Sequence, residues 1–313
     1  MLSFTIRRLL QAIPILLGVS ILVFLMVQMI PGNALDLMLP SDAPKDLIEK
    51  MKAEYGFDKP LWQQYLRWLW MLLHGDLGVS IFDSTPVAAT LFDALGNTFV
   101  LAIPAAVLGF GLGIFFGVTA ALNNGKAADK ALSMVSITGV SLPHYWFAIV
   151  LVVIFSVELN WLPAQGMQFD TLPSTVEGLK SMVLPVITLS LIPMGVVSRV
   201  VRAAVLEVMS QEFVNTLNAK GLWSRSVLGH ILKNAAPATL AVMGLQFGYL
   251  LGGSILVETV FNWPGSGNLL NLAIFRRDIP VMQGTILVLA AFFVLLNLVV
   301  DVAQALIDPR IRR

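Results

Sequence analysis

The chain has no cysteine among its 313 residues. A disulfide frame, a thiol nucleophile and a cysteine metal site are therefore excluded. Charge is scarce too: Asp, Glu, Lys and Arg together make up 12% of the residues, against ~25% in soluble globular domains. That is too little to cover a water-facing surface. The formal net charge is only +1, so the chain lacks the broad basic face of a nucleic-acid binder. No G-x-x-x-x-G-K-[ST] phosphate loop, H-E-x-x-H pair, Ser-x-x-Lys or glycine-flanked nucleophile elbow occurs. The histidines His74, His144 and His230 stand far apart. What is abundant is apolar surface: 57% of the residues are hydrophobic. The composition is that of an all-α, polytopic membrane protein.

Crossing a ~30 Å hydrocarbon core takes about 20 mostly apolar residues in a helix, and about six stretches qualify. They are Leu9–Ile30, Thr98–Leu122, Leu132–Val157, Met182–Val205, Ala238–Val257 and Gln283–Ile307. The first is longer than a signal-peptide core, and no small-x-small cleavage site follows it, so it reads as a retained helix. Pro14, Pro104, Pro143, Pro185 and Pro193 lie within spans, where neighbouring groups satisfy the freed backbone. The division expected is 1–30 for the N-terminal segment and first span, 31–97 for an extracytoplasmic helical segment, 98–307 for the core and 308–313 for a tail. Within the core, 206–237 forms a cytoplasmic loop. Lys and Arg concentrate in the short segments that an inward N-terminus would place inside, such as Arg7, Arg8, Lys126, Lys130, Arg199 and Arg202. Both termini are therefore expected in the cytoplasm. Arg199 and Arg202 are expected to snorkel from the inner end of the fourth span.

Within the outer segment, 44–55 carries Leu47, Ile48 and Met51 at helical spacing. The stretch Pro60–Leu73 adds Trp62, Tyr65, Trp68 and Trp70. Trp and Tyr favour the membrane–water boundary, which predicts a helix on the outer membrane surface or capping the bundle. Gly109, Gly113 and Gly117 recur every four residues in the second span, and Gly244, Gly248 and Gly252 in the fifth. Each stripe lines one helix face and admits another backbone closely. The spacing does not name the partner helix. Few ionisable groups sit inside the spans: Glu158 and Glu258 fall near outer ends and Asp301 near an inner one. That leaves little for a proton- or sodium-coupled carrier or for an intramembrane hydrolase.

The longest cytoplasmic stretch is Glu207–Ala236. Gln211–Lys220 reads as a short helix with Phe213, Val214 and Leu217 on one face, stopped by Gly221. Ser224 can cap a second short helix bearing Val227, Leu228 and Ile231. Apolar residues exposed at a membrane surface need a cover: lipid headgroups, the protein's own helix ends or a cytoplasmic partner.

These residues carry a resemblance. Asn215-Thr216-Leu217-Asn218-Ala219-Lys220-Gly221 resembles the cytoplasmic "EAA" loop of the permease subunits of bacterial ABC importers for peptides, nickel and related solutes. Gly221 and Ile231 match that pattern. Asn215-Thr216-Leu217 departs from the literal triplet, with Thr216 fitting the R-T-A-like version of this branch, and Pro237 stands about one position early. Further similar stretches run along the chain: Pro31-Gly32-Asn33, Tyr55–Leu61, Gly75-Asp76-Leu77-Gly78, Glu258 with Phe261–Gly267, Arg277–Pro280, Asn297–Asp301 and Asp308–Arg312. Together they resemble the first of the two permeases of such systems.

The resemblance implies an importer-type permease fold in the bacterial cytoplasmic membrane. It also implies a second, homologous permease, two cytoplasmic ATPases and an extracytoplasmic solute-binding protein as partners, with ATP and Mg held by the ATPases and no cofactor in this chain. Asn215, Thr216, Leu217, Asn218, Ala219, Lys220, Gly221, Ile231 and Pro237 would couple ATPase movement to the spans, with Gly221 and Pro237 shaping the two ends of the lever. Glu258, Phe261, Trp263, Pro264, Gly265 and Gly267 form either a structural turn or part of an outer gate, with Trp263 at the membrane boundary. The competing readings are a stand-alone carrier or channel and a membrane-embedded enzyme.

Overall fold

The computed structural model describes residues 2–29, 44, 49, 58–169 and 172–307. The helix expected over 44–55, the Pro31-Gly32-Asn33 and Tyr55-Gly56-Phe57 motifs and the tail 308–313 lie outside these, Pro44 and Glu49 apart. The first helix, α1, is Leu2–Gln28. Helix α2 is Leu61–Leu73 and α3 is Val87–Leu122. Helix α4 is Ala127–Ser141, and α5, His144–Val152, runs on into a π-helical turn over Val153–Glu158. Helix α6 is Val176–Met209, α7 Glu212–Ala219 and α8 Ser224–Gly253. The chain continues through α9 Ile255–Val260, α10 Ser266–Arg276 and α11 Ile279–Ile307.

Among the described residues, five helices are long and apolar enough to cross a membrane, with a sixth crossing if α4 and α5 count as one broken span. That pair occupies the third span expected over 132–157 and is broken next to Pro143, one of the prolines within the spans: its halves meet at 97°. The cause is local. Pro143 has no N–H to give, and it pushes Leu142 out of the helical region to φ −74°, ψ 128°. The other prolines leave their helices unbroken: Pro104 lies inside α3, Pro185 and Pro193 inside α6 and Pro237 inside α8.

Helix α6 is the centre of the bundle. Of its most apolar stretch 67% is buried, against 17% for α1 and 6% for α11. Its pairing with α3 is the most extensive in the molecule, and the glycine stripe of α3 makes it so. A Cβ at Gly109 would lie 2.8 Å from the Ser190 carbonyl oxygen, one at Gly113 2.9 Å from that of Met194, and one at Gly117 2.6 Å from that of Ser198. The three glycines thus face three successive carbonyls on one side of α6. On another side of α6, Gly195 packs against the Ser136 carbonyl of α4, and the Ser136 hydroxyl donates to Ser198 Oγ at 2.8 Å. In the fifth span, Gly244 meets Val300 and Gly248 meets Phe293 of α11. Gly252 departs from its stripe, because a Cβ there would meet nothing within 4 Å.

Lipid is as apolar as leucine, so helices in a membrane associate through close packing rather than water exclusion. Gly117→Ala is expected to cost about 1–3 kcal/mol through the forced shift of the Ser198 backbone and Val201. Gly111, on the same helix, has nothing within 4 Å of its Cβ position, so Gly111→Ala should gain up to about 1 kcal/mol from helix propensity. Thermal unfolding of the two variants in detergent should shift the midpoint in opposite directions.

Candidate functional site

Two constructions flank the bundle, one at each end. The first is the short helix α7. Helix α6 runs on to Met209 and α8 starts at Ser224, so only 210–223 of the expected 206–237 loop lies outside these two long helices. The second short helix expected after Gly221 is instead the first part of α8. Ser224 makes no side-chain cap, and Trp223 occupies the N-cap position. Pro237 lies inside α8 rather than at the end of a lever.

The two faces of α7 differ. Val214 is buried, with Phe213 and Leu217 half-buried beside it. They pack on Val201, Val205 and Val208 of α6 and on Val227, Ile231 and Ala235 of α8. Ile231 is thereby brought under α7. The opposite face leaves Asn215, Thr216, Asn218, Ala219, Lys220 and Gly221 exposed. The turn after α7 needs a left-handed backbone, and Gly221 supplies it at φ +72° with open space around its Cβ position. Leu222 and Trp223 follow. Trp223 is 72% exposed, and the Arg225 guanidinium lies 5.6 Å from its ring centroid. Their apolar character beside the turn was visible in the sequence, but nothing in the pattern distinguished exposed from buried there.

A charged clamp sits at the same end. Arg202 does not snorkel as expected. Its Nε donates to Asp129 Oδ1 at 2.7 Å, and a terminal nitrogen donates to Asp129 Oδ2 at 2.8 Å. A further bond of 3.1 Å reaches Asn124 Oδ1, and the Gly125 N–H donates to Asp129 Oδ2 at 2.9 Å. This forked pairing, with its geometric specificity, ties the α3–α4 turn to α6 next to α7. Asp129 and Arg202 are 73 residues apart, so no local pattern joins them.

The second construction is the turn 258–268 at the other end. Glu258 is fully buried. Its Oε2 accepts from the N–H groups of Gly267 at 2.8 Å and Asn268 at 3.0 Å, which caps the start of α10. Its Oε1 accepts from the Thr98 hydroxyl of α3 at 2.9 Å. These bonds offset the cost of burying a carboxylate. A Cβ at Gly265 or Gly267 would collide with that carboxylate, at 2.5 and 2.9 Å, so both positions demand glycine. Trp263 is fully buried too. Its indole N–H donates to the Asn97 carbonyl at 2.9 Å, and Asn97 Nδ2 returns a bond to the Pro264 carbonyl at 3.0 Å. The Phe261 carbonyl accepts from Gly166 N–H at 2.8 Å. Beside this turn, buried Asp278 accepts from the Ser80 hydroxyl at 2.5 Å and from Ile81 N–H at 3.3 Å. It pins the loop 75–86 to the start of α11.

Among the described residues no group of three or more His, Asp or Glu could hold a metal ion. The arrangement is mechanical: a two-faced helix at one end, a hydrogen-bonded corner at the other, and the α3–α6 seam between them.

Comparison with known proteins agrees with this design. Residues 113–313 match the family model described as binding-protein-dependent transport system inner membrane component. Residues 1–102 match the model for the N-terminal part of such membrane components. A relative from Brucella abortus is 39% identical over 313 residues, covering 100% of this chain and 99% of its own. The dipeptide transport system permease protein DppB of Escherichia coli K12 is 37% identical over 336 residues, at 100% and 99% coverage. Its counterpart in Alkalihalophilus pseudofirmus is 38% identical over 332 residues, at 100% of each chain. A chain of the MetNI methionine ABC transporter, in an inward-facing form, shares the fold at a TM-score of 0.58 and 16% identity, over 70% of this chain and 97% of that one. This chain belongs to the family of binding-protein-dependent inner membrane components: it is a multi-pass permease subunit of an ABC importer, not an enzyme, and works with separate ATP-binding subunits and a solute-binding protein.

Proposed function

We propose that this chain forms half of the translocation pathway for short peptides, paired with a second, homologous permease. Its full-length similarity to two dipeptide permeases supports the substrate class. Helix α7 is the coupling helix. Its exposed face, Asn215 to Gly221 with Leu222 and Trp223 beside it, docks on a cytoplasmic ATPase that holds ATP and Mg. Its buried face passes the resulting movement to α6 and α8. The observation that carries this reading is the division of α7 into a polar outer face and an apolar face seated on Val205, Val208, Val227 and Ile231. Both termini lie in the cytoplasm, on the same side as α7, as the placement of Lys and Arg supports. Of the segment 31–97, the loop 75–86 lies on the extracytoplasmic side, and the helical core reaches back to Val87.

The turn 258–268 acts as a fixed corner rather than as a gate. Complete burial of Phe261, Trp263 and Glu258 and the bonds that tie the turn to Thr98 and Asn97 support this. A gate would have to break all of them at each cycle.

Gly221→Trp adds a side chain into open space at a left-handed residue, so the bundle should still insert. In proteoliposomes with all partner subunits, ATP hydrolysis should persist while dipeptide uptake falls at least several-fold. Normal uptake would count against α7 as the lever. Glu258→Ala leaves two N–H donors without their acceptor and should cost about 2 kcal/mol or more. Glu258→Gln keeps an acceptor in place and should retain most of the stability. Equal thermal midpoints for the two variants would refute the corner.

A further inference from the structure

Helix α2 does not sit at the level where its composition would place it. It touches α1 through Tyr65, whose hydroxyl lies 2.8 Å from Ser20 Oγ. Ser20 already donates to the Leu17 carbonyl, so the phenol is the donor in this bond. The Tyr65 ring meets Phe24 edge-on at 5.5 Å, and Trp68 lies 6.1 Å from the same ring. At ~1.5 Å per residue, Ser20 and Phe24 lie about 13 Å and about 8 Å along α1 from Met29. The apolar run of α1 from Leu9 to Met29 matches a ~30 Å hydrocarbon core, so each leaflet occupies about half of that run. The contact between the helices therefore lies within the hydrocarbon, not among the headgroups.

At that level α2 presents a stripe that the described residues leave largely uncovered. Trp62, Leu66, Trp70 and Leu73 recur along one face and are 53–73% exposed, and no residue of α2 is buried. The neighbouring surface of α1, Leu22, Leu25 and Met26, is exposed as well. The polar residues Gln63, Gln64 and Arg67 lie off this stripe. Gln64 spends a donor on the Lys59 carbonyl at 2.8 Å, and the stem of Arg67 is long enough to carry its charge toward the headgroups.

We propose that α2 is immersed in the bilayer and that its Trp62–Leu66–Trp70–Leu73 face packs on phospholipid acyl chains. The leaflet is the one around the C-terminal half of α1, the outer leaflet in the orientation proposed above. Depth selects this occupant: an apolar helix face inside the hydrocarbon, flush with exposed residues of a spanning helix, adjoins acyl chains. Helix α2 leads directly into the loop 75–86, which Asp278 fastens to α11. The helix therefore anchors that loop in lipid as well as in protein.

Because the chain has no cysteine, a single thiol introduced into it is its sole labelling site, and any thiols of the partner subunits are replaced by serine beforehand. Trp62→Cys, Leu66→Cys and Trp70→Cys would be labelled one at a time in the full importer complex, held in phosphatidylethanolamine–phosphatidylglycerol nanodiscs. Met26→Cys serves as the lipid reference and Asp83→Cys as the water reference. The readout is the ratio of collisions with oxygen to collisions with chromium oxalate. Labels at 66 and 70 should give a ratio like that at 26 and several-fold above that at 83. A ratio like that at 83 places α2 in water and overturns the proposal. Low access to both reagents means that a protein partner covers the face, which overturns it equally. The collision ratio depends on neither uptake nor sidedness, so it stands even if a peptide-transport assay fails.

Discussion

The close approach of α3 and α6 is the constraint on which the rest of the molecule depends. Between two helices in lipid, burying a leucine gains little, because the acyl chains it leaves are equally apolar. What holds the helices together is contact at short range, and that requires the absence of side chains along the seam. Gly109, Gly113 and Gly117 provide that absence and face the carbonyls of Ser190, Met194 and Ser198. On another side of α6, Gly195 does the same for α4. Three helices thus become one body, with α6 in the middle.

Both ends of the molecule are attached to that body. At the α7 end, α6 contributes Val201, Val205 and Val208 to the surface on which α7 sits, and Arg202 holds the α3–α4 turn through Asp129. At the other end, α3 contributes Thr98 to the Glu258 carboxylate and Asn97 to the Trp263 indole. The α3–α6 seam thus joins the surface under α7 to the far corner through one packed body. The sharp break in the described spans lies elsewhere, at the 97° bend between α4 and α5.

The Glu258 corner shows how buried charge is used where water is excluded. A carboxylate with no partner would be costly at Glu258. Supplied with two backbone N–H groups and a hydroxyl, it becomes the cap that α10 needs and the link between α9, α10 and α3. The same device appears at Asp278, a buried acceptor for a hydroxyl and backbone N–H groups that begins α11 and holds the loop 75–86. Each carboxylate joins segments distant in sequence without a second charge.

The sequence by itself determined the class of the protein, the number and rough position of its apolar helices and the existence of α7. These are local matters: the length of an apolar run, the spacing of Val214 and Leu217, a glycine able to take a left-handed backbone. It determined the glycine stripes as well, because a period of four is written in one helix. Only the tertiary structure decided what the stripes face, since the complementary carbonyls carry no residue signature. Only the tertiary structure decided that Arg202 pairs with Asp129 rather than snorkelling and that Trp263 is buried inside the protein. Each of those outcomes depends on a partner dozens of residues away or on the space its neighbours leave, and a linear pattern records neither.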